Sequence, residues 1–441
     1  MKKRIIYSVL LAGLSLNLLI GAQIYLKSDE AREKNNLYEQ MELFVGVLDK
    51  IRKEYVDGEK VSYEELIHSS LKGMVNSLDP HSEFMEARKF TDLKSDTKGK
   101  FGGIGIEIVR LSTGAFPLTV MAPIEDTPAF RAGVLRGDKI VAIDGKSVEN
   151  LTSSDAVEQL RGEPGSKVTI TVVRPSLAEP KDFTLTRAVI KVETVKDING
   201  RSAFSLGEDG IGYVRISQFG EKTTDELESA LEKLSDQGMR ELIMDLRNNP
   251  GGLLDQAVKV CDLFVPRGQL VVSTEGRAAE SKEEYHARQR NLFPDLNIVI
   301  LVNIGSASAS EIVAGCLQDL GRAFVMGEKS FGKGSVQSIV PLQDGSALRL
   351  TTAHYYTPSH KRIHGKGIIP DSVVPLSDEE DQILFLQRVP GGIETLDPAR
   401  QETARKVTDV QMDRAKDFLR AIIRFADHSG TPRKLARRSD P

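Results

Sequence analysis

Ile298-Val299-Ile300-Leu301-Val302, followed two residues later by Gly305-Ser306-Ala307-Ser308-Ala309-Ser310-Glu311-Ile312, is the stretch that sets the fold class. The first five residues are apolar and mostly β-branched, which reads as a buried strand. The small-residue turn opens a helix over Glu311–Leu320, since Ser308 with Glu311 three residues on is a capping box. The same alternation continues on both sides. Gly212–Ile216 and Glu241–Leu246 read as strands, and Thr224–Leu234 and Leu253–Phe264 as helices. Phe324-Val325-Met326 and Val336–Pro341 read as further strands. From Gly210 to about Pro375 the pattern predicts an α/β layered core.

The flanks differ. From Gly99 to about Ile190 the signals are short strands punctuated by Gly, Pro and the turn Asp144-Gly145, so a β-rich domain is expected. Upstream, Leu37, Met41, Phe44, Leu48 and Ile51 recur at helical spacing. A second helix is expected over Tyr63–Leu78, after Ser62 and stopped by Asp79-Pro80. From Ser377 onward the chain reads as helical again, with Ala404–Phe425 the longest candidate, and the basic end Thr431–Pro441 as solvated. Lys2, Lys3 and Arg4 precede an uncharged run from Ile5 to Leu26. A basic start before an apolar stretch is an export signal, and this run is long enough to span a bilayer. It reads as a retained signal anchor or a cleaved signal peptide, and either places the remainder at the periplasmic or extracytoplasmic face of the inner membrane. The expected organisation is 1–26 signal or anchor, 27–98 helical, 99–190 β-rich, 191–376 α/β core and 377–441 helical.

Composition narrows the function. The 441 residues are 40% hydrophobic and 28% charged, a globular balance. A net charge of −4, no tryptophan and few aromatics give no case for nucleic acid as a partner. Two cysteines, Cys261 and Cys316, supply neither a CxxC nor a disulfide framework and read as buried reduced thiols. The seven histidines show no HExxH, so no metal is expected. Gly327-Glu-Lys-Ser-Phe-Gly332-Lys333 matches GxxxxGK, but Gly334 stands where a phosphate loop needs Ser or Thr. Val336–Pro341 beyond it is a strand rather than a helix. No cofactor is expected.

Three segments carry chemistry. Ser308, at a strand-to-helix turn beside free amides and a helix dipole, suits a nucleophile as well as a cap. It lacks a GxSxG elbow and a His–Asp pattern, which leaves a lysine as base. Lys333, Ser335 and Gln337 fall on one face if extended, and a Gln amide oxygen can hold an amine. Asp245-Leu246-Arg247-Asn248-Asn249-Pro250-Gly251-Gly252 is a glycine turn after a strand, able to aim N–H groups at an oxyanion.

Taken together, Ser77-Leu-Asp-Pro-His-Ser82, Phe101–Ile106 with Pro128–Val148, Asp245–Gly252, and Ser306–Ile312 with Gly327–Gln337 resemble the carboxyl-terminal processing, or tail-specific, proteases. The resemblance spans roughly residues 36–376. It implies a crotonase-like α/β serine-protease core, a PDZ domain, and an overall α+β multidomain chain. By the same likeness Ser308 is the nucleophile, Lys333 the general base and Gln337 its orienting residue. Gly251 or Gly252, with Ala309, would form the oxyanion hole. Phe101-Gly102-Gly103-Ile104-Gly105-Ile106 is similar to a PDZ carboxylate-binding loop, with Ile104 and Ile106 lining an apolar pocket. The implied function is a serine endopeptidase that reads the apolar C-terminal tail of exported protein or peptide substrates. The alternatives are a non-catalytic PDZ scaffold at the membrane and a serine hydrolase with His354 or His364 as base. Lysine catalysis requires desolvation, which a PDZ domain closing over the site would supply. The helical ends suit a homo-oligomer, because their apolar faces need partners.

Overall fold

A computed structural model describes residues 37–58, 61–109, 118–124, 127–174, 179–288, 291–388 and 393–428. The expected signal segment 1–26 and the basic end 431–441 lie outside these residues. The chain divides into two compact units, Met1–Phe84 and Met85–Pro441.

In the first unit, helices span Leu37–Glu54 and Tyr63–Asn76. Ser62 caps the second as the sequence predicts. Its hydroxyl accepts the Glu65 N–H at 3.0 Å, and the Glu65 carboxylate accepts the Ser62 N–H at 3.0 Å. The helix ends at Asn76, and just beyond it the Asp79 carboxylate accepts the N–H groups of His81 and Ser82 at 2.7 and 2.8 Å. The first helix buries Leu48 and leaves Leu37, Met41, Leu43, Phe44 and Ile51 exposed. Among the described residues no helix is long and apolar enough to cross a membrane.

The second unit begins with the helix Ala87–Thr97 and contains two folded bodies of different logic. In the first, strands Ile106–Val109, Leu118–Pro123, Lys139–Ile143, Lys167–Val173 and Lys181–Thr186 form one antiparallel sheet in that order. Asp144 and Gly145, both at positive φ (47° and 74°), close the predicted hairpin. Helices Pro128–Arg131 and Ser153–Leu160 cap a core built from Ile104, Val120, Ala129, Ile140, Ile170 and Phe183, among others. Among the described residues, strand Ile106–Val109 is the edge of this sheet and pairs only with Leu118–Pro123.

The second body is the α/β core. Strands Ile211–Ile216, Glu241–Asp245, Asn297–Val302, Ala323–Gly327 and Ser372–Val373 run parallel, and Val195–Lys196 adds an antiparallel edge. A parallel sheet is covered on both faces, which is why its strands are nearly continuous apolar runs. Leu242, Met244 and Leu246 face helices Thr223–Asp236, Leu254–Asp262 and Ala309–Asp319, packing with Leu227, Leu231, Ala257 and Ile312. The alternate residues Ile243, Val299 and Leu301 face Met412, Ala415, Leu419 and Ile423 of the helix Val410–His428. Cys261 and Cys316 are free and fully buried on two of the covering helices.

The single long helix expected over Ala404–Phe425 is corrected here to two, Pro398–Lys406 and Val410–His428. Asp409 breaks it by accepting the Met412 N–H at 3.0 Å, a cap that periodicity alone does not reveal. This last helix also finds its apolar partner within its own chain, so its amphipathicity calls for no second copy.

Candidate active site

Ser308 stands between the strand Asn297–Val302 and the helix Ala309–Asp319 with φ 56° and ψ −113°. A non-glycine residue at such angles carries strain of order 1–3 kcal/mol, and it persists only where neighbours over-determine it. Those neighbours are visible. The Glu311 carboxylate accepts the Ser308 N–H at 2.9 Å, closing the predicted capping box from its acidic side. The Glu311 and Ile312 amides bond the Ser308 carbonyl oxygen at 2.9 and 3.0 Å. The flanking serines are engaged in structure. The Ser306 hydroxyl donates to the Leu246 carbonyl at 2.8 Å and accepts the Asn303 N–H at 3.0 Å, and the Ser310 hydroxyl donates to the Asn249 carbonyl at 3.0 Å. The Ser308 hydroxyl instead meets the phenol of Tyr355, whose pKa burial pushes up to about 12.

The glycine turn packs directly on this serine. A methyl group on Gly251 would lie 2.7 Å from Ser308 Cβ and 2.9 Å from the Ala309 nitrogen, and Gly251 sits at φ +99°. Only glycine fits. Its own N–H donates to Asn249 Oδ1 at 2.9 Å, so of the two glycine candidates it is Gly252 whose amide stays open. Among the described residues the N–H groups of Gly252 and Ala309 have no hydrogen-bond partner. They are two orphan donors beside the Ser308 turn: Gly252 follows the glycine that packs on Ser308, and Ala309 opens the helix after it. Asn249 holds the turn by donating its amide to the Ile216 carbonyl at 2.8 Å, while its carbonyl oxygen accepts the Ala307 N–H at 2.9 Å.

Lys333 lies in the loop before the strand Ser335–Pro341 and is half-buried. Burial and the nearby Arg349 cation push its ammonium pKa below the ordinary lysine value, and Glu311 opposes them. The Lys333 backbone is tied to the Ser308 turn through that same Glu311, which accepts the N–H groups of Gly332 and Lys333 at 2.7 and 2.8 Å and the Ser330 hydroxyl at 2.5 Å. Burial raises the Glu311 pKa although four donors work against it. Among the described residues the Lys333 ammonium makes no hydrogen bond, to Ser308 or to Gln337. The Gln337 amide nitrogen donates to the Ser335 hydroxyl at 2.8 Å, so those two side chains do share a face. The register with the strand Ala347–Tyr356 shifts between Val336 and Gln337, a bulge lying between these two residues.

The histidines stand elsewhere. His354 pairs with Ser335 in the strand Ala347–Tyr356, one residue before Tyr355. Tyr355 turns toward Ser308, so His354 projects from the opposite face, where its ring lies 4.6 Å from that of His364. Among the described residues no group of three or more His, Cys, Asp or Glu is gathered to hold a metal ion.

In the β-rich body the glycine loop divides. Phe101, Gly102 and Gly103 belong to a short strand, Lys100–Gly103, paired with Ala188–Lys191, and the Arg161 guanidinium lies 4.3 Å above the Phe101 ring. Ile104 is 2% exposed and belongs to the domain core, so it lines no open pocket. Ile106 starts the edge strand and packs partly on that core. Gly105, at φ +75°, lies so close to Thr127 that a methyl group would meet its side chain at 2.3 Å. The N–H groups of Ile104 and Gly105 have no partner among the described residues, while their carbonyls accept Ala129 and Ile124 amides at 3.0 and 2.9 Å.

Several working residues carry no warning in the sequence. Glu311 reads as a cap, and nothing marks it as the tie to Lys333. Tyr355 and Arg349 lie on a strand with no motif.

Comparison with known proteins gives one consistent result. The peptidase family S41 model matches residues 210–374, and a PDZ domain model matches residues 119–174. A carboxy-terminal-processing protease of Bartonella bacilliformis is 40% identical over 454 residues, covering 99% of this chain and 100% of its own. A carboxyl-terminal-processing protease of Synechocystis is 33% identical, covering 97% of this chain and 98% of its own. The solved photosystem II D1 C-terminal processing protease is 30% identical, with a TM-score of 0.44 over 76% of this chain and 92% of its own. With a strained serine packed on a glycine turn, and relatives matched end to end, the chain belongs to the carboxyl-terminal-processing serine proteases of peptidase family S41, with a PDZ domain ahead of the protease core.

Proposed function

We propose that the protein is an exported endopeptidase that cleaves by a Ser308–Lys333 mechanism and selects substrates by their free, apolar C-terminal tails. The observation that carries the catalytic half is Ser308 itself, held at strained angles against two open amides. Neutral Lys333 takes the Ser308 hydroxyl proton onto Nζ as Oγ attacks the scissile carbonyl carbon. The carbonyl oxygen becomes an oxyanion and receives the Gly252 and Ala309 N–H groups. The Lys333 ammonium then returns its proton to the departing amine, leaving an ester on Ser308. Water, deprotonated by the same lysine, hydrolyses that ester and frees Ser308. Gln337 orients the amine in the reacting state. In the resting arrangement Ser308 meets Tyr355 rather than Lys333, and catalytic hydrogen bonds commonly tighten only with substrate bound.

The PDZ half of the reading is supported by the open N–H groups at Ile104 and Gly105, which make a small nest for a terminal carboxylate. The edge strand Ile106–Val109 lies beside them, able to accept a peptide as an added strand. Arg349, which adds to burial in depressing Lys333, is a residue of the protease core, and the PDZ domain is read here as a recruiter of the substrate tail. The exposed apolar face of Leu37–Glu54 supports a homo-oligomer, with the N-terminal segment as membrane anchor if retained.

An unstructured protein with an apolar tail, incubated with wild type, Ser308→Ala and Lys333→Ala, tests the mechanism. Both variants should be inactive, and Lys329→Ala active. An active Lys333→Ala enzyme would reject the lysine. Amidating the substrate's C-terminus should weaken binding and slow cleavage, and equal handling of acid and amide would reject tail reading.

A further inference from the structure

The loop that carries Gly252 is bolted to the far end of the chain. In the strand Glu241–Asp245 the alternation that sends Ile243 toward the helix Val410–His428 sends Asp245 and then Arg247 the same way. Arg247 is 1% exposed, and its guanidinium has every N–H engaged. Nε and Nη2 donate to Asp245 Oδ1 and Oδ2 at 2.9 and 2.7 Å. Nη1 and Nη2 donate to Asp409 Oδ1 and Oδ2, both at 2.9 Å, and Nη1 also to Gln411 Oε1 at 3.0 Å. Asp245 takes a further bond from the Tyr213 hydroxyl at 2.8 Å. Asp409 meanwhile caps the last helix through the Met412 N–H at 3.0 Å. One carboxylate therefore fixes both the start of that helix and the side chain that precedes Asn248, Asn249 and the two glycines.

We propose that Asp409 is a positioning residue for the oxyanion hole: by clamping Arg247 between two carboxylates it holds the 246–252 loop, and so makes the C-terminal helix part of the catalytic apparatus. The proposal rests on the reading of Gly252 as an oxyanion donor. Bidentate guanidinium–carboxylate pairs fix direction as well as distance, which suits a loop whose amide must point at one oxygen atom. An oxyanion donor acts only in the transition state, so loosening it lowers turnover and leaves substrate affinity alone.

The test uses the full-length protein with a fluorogenic peptide and a fluorophosphonate that labels the active serine. Asp409→Asn keeps the shape and a capping oxygen but removes the charge. It should lower kcat about tenfold and slow labelling in step, with KM unchanged. Asp409→Glu should restore part of the loss. Gln411→Met, which leaves the ion pair in place, should lower kcat only about twofold, and it keeps the question open to measurement if Asp409→Asn does not fold. A lower thermal midpoint with kcat unchanged at 25 °C would mean a structural contact only and would overturn the proposal, as would a raised KM at constant kcat. Ser308→Ala separates the two readings. If it still takes the label, the nucleophile assignment fails. If it does not, and Asp409→Asn turns over normally, the clamp alone fails.

Discussion

Gly251→Ala puts the site's geometry at risk in a measurable way. The added methyl would lie 2.7 Å from Ser308 Cβ and 2.7 Å from the Ala307 carbonyl oxygen, about 0.7 Å inside the 3.4 Å where ordinary contact begins. Neither neighbour is the loose end of a flexible side chain. Ala307 is bonded to Asn249 through its amide, and Ser308 is fixed through both its amide and its carbonyl. The displacement must therefore move the nucleophile's own turn. Overpacking of this kind costs about 1–3 kcal/mol, and φ +99° adds about 1–2 kcal/mol for a residue with a Cβ. A shift near 0.7 Å exceeds the roughly 0.5 Å tolerance of a working site and should cost on the order of 100-fold in kcat.

Gly238→Ala separates strain from clash. Gly238 has a similar φ of +94° with open space around it, at the end of the helix Thr223–Asp236. It should lose about 1–2 kcal/mol of stability and keep full activity. Thermal midpoints and kcat at 20 °C, well below unfolding, read both variants. A folded Gly251→Ala enzyme within twofold of wild type would show that the glycine turn does not abut the reacting serine, and the oxyanion reading would go with it.

The serine cluster should separate by role: Ser306→Ala removes two buried hydrogen bonds and Ser310→Ala one, each costing about 1–2 kcal/mol while labelling persists, whereas Ser308→Ala abolishes labelling with little loss of stability. Arg349→Met removes a cation that depresses Lys333, so the amine's pKa should rise and the ascending limb of the pH–rate profile move to higher pH. An unmoved limb would deny Lys333 the role of base. Because the folded Lys333 pKa lies below 10.5, the folded protein holds fewer protons than the unfolded chain between the two values. Stability should rise with pH across that window, and urea titrations of Lys333→Met should lose the rise. Tyr355→Phe releases the resting partner of Ser308 and should speed fluorophosphonate labelling about fivefold, a slower or unchanged rate refuting the contact's holding role.

The core is legible because a buried parallel strand leaves little freedom. Ile298–Val302 and Glu241–Leu246 are apolar on both faces since helices cover both, and each lies within a residue of its observed strand. Ser308 and Lys333 stand out in the sequence by their resemblance to a family motif, and their catalytic roles remain the proposal made above. Their surroundings are not, because the contacts that tune them come from distant sequence. Arg349 reaches Lys333 from a later strand, and Asp409 meets Arg247 across 162 residues. The helix break at Asp409 was hidden for the same reason. A cap is a local signal, but this one is selected by a guanidinium elsewhere. Ile104 misleads in the opposite direction. Its glycine-flanked position suggests a pocket, yet a bulky apolar residue beside small ones is drawn into the nearest core.

Glu311 shows how a common local motif becomes a device for coupling. A helix needs its first amides satisfied, and a glutamate at the third position meets that need at many exposed helix starts. Here the same carboxylate is buried, so a second requirement arises: an ionised group out of water must gather donors or lose its charge. It gathers Ser330, Gly332 and Lys333 from the loop that carries Lys333. The energetic need of one buried group thereby fixes the Ser308 turn relative to the loop that carries the Lys333 amine. The coupling carries a pH signature. A carboxylate whose folded pKa lies above 4.5 holds its proton longer than in the unfolded chain, so its contribution to stability falls as pH rises through the folded value. Glu311→Gln cannot accept at both oxygens and leaves part of the donor set unmatched. It should therefore abolish that pH dependence and also lower kcat, joining a stability effect to a catalytic one at a residue that acts through the Ser308 turn and the Lys333 loop.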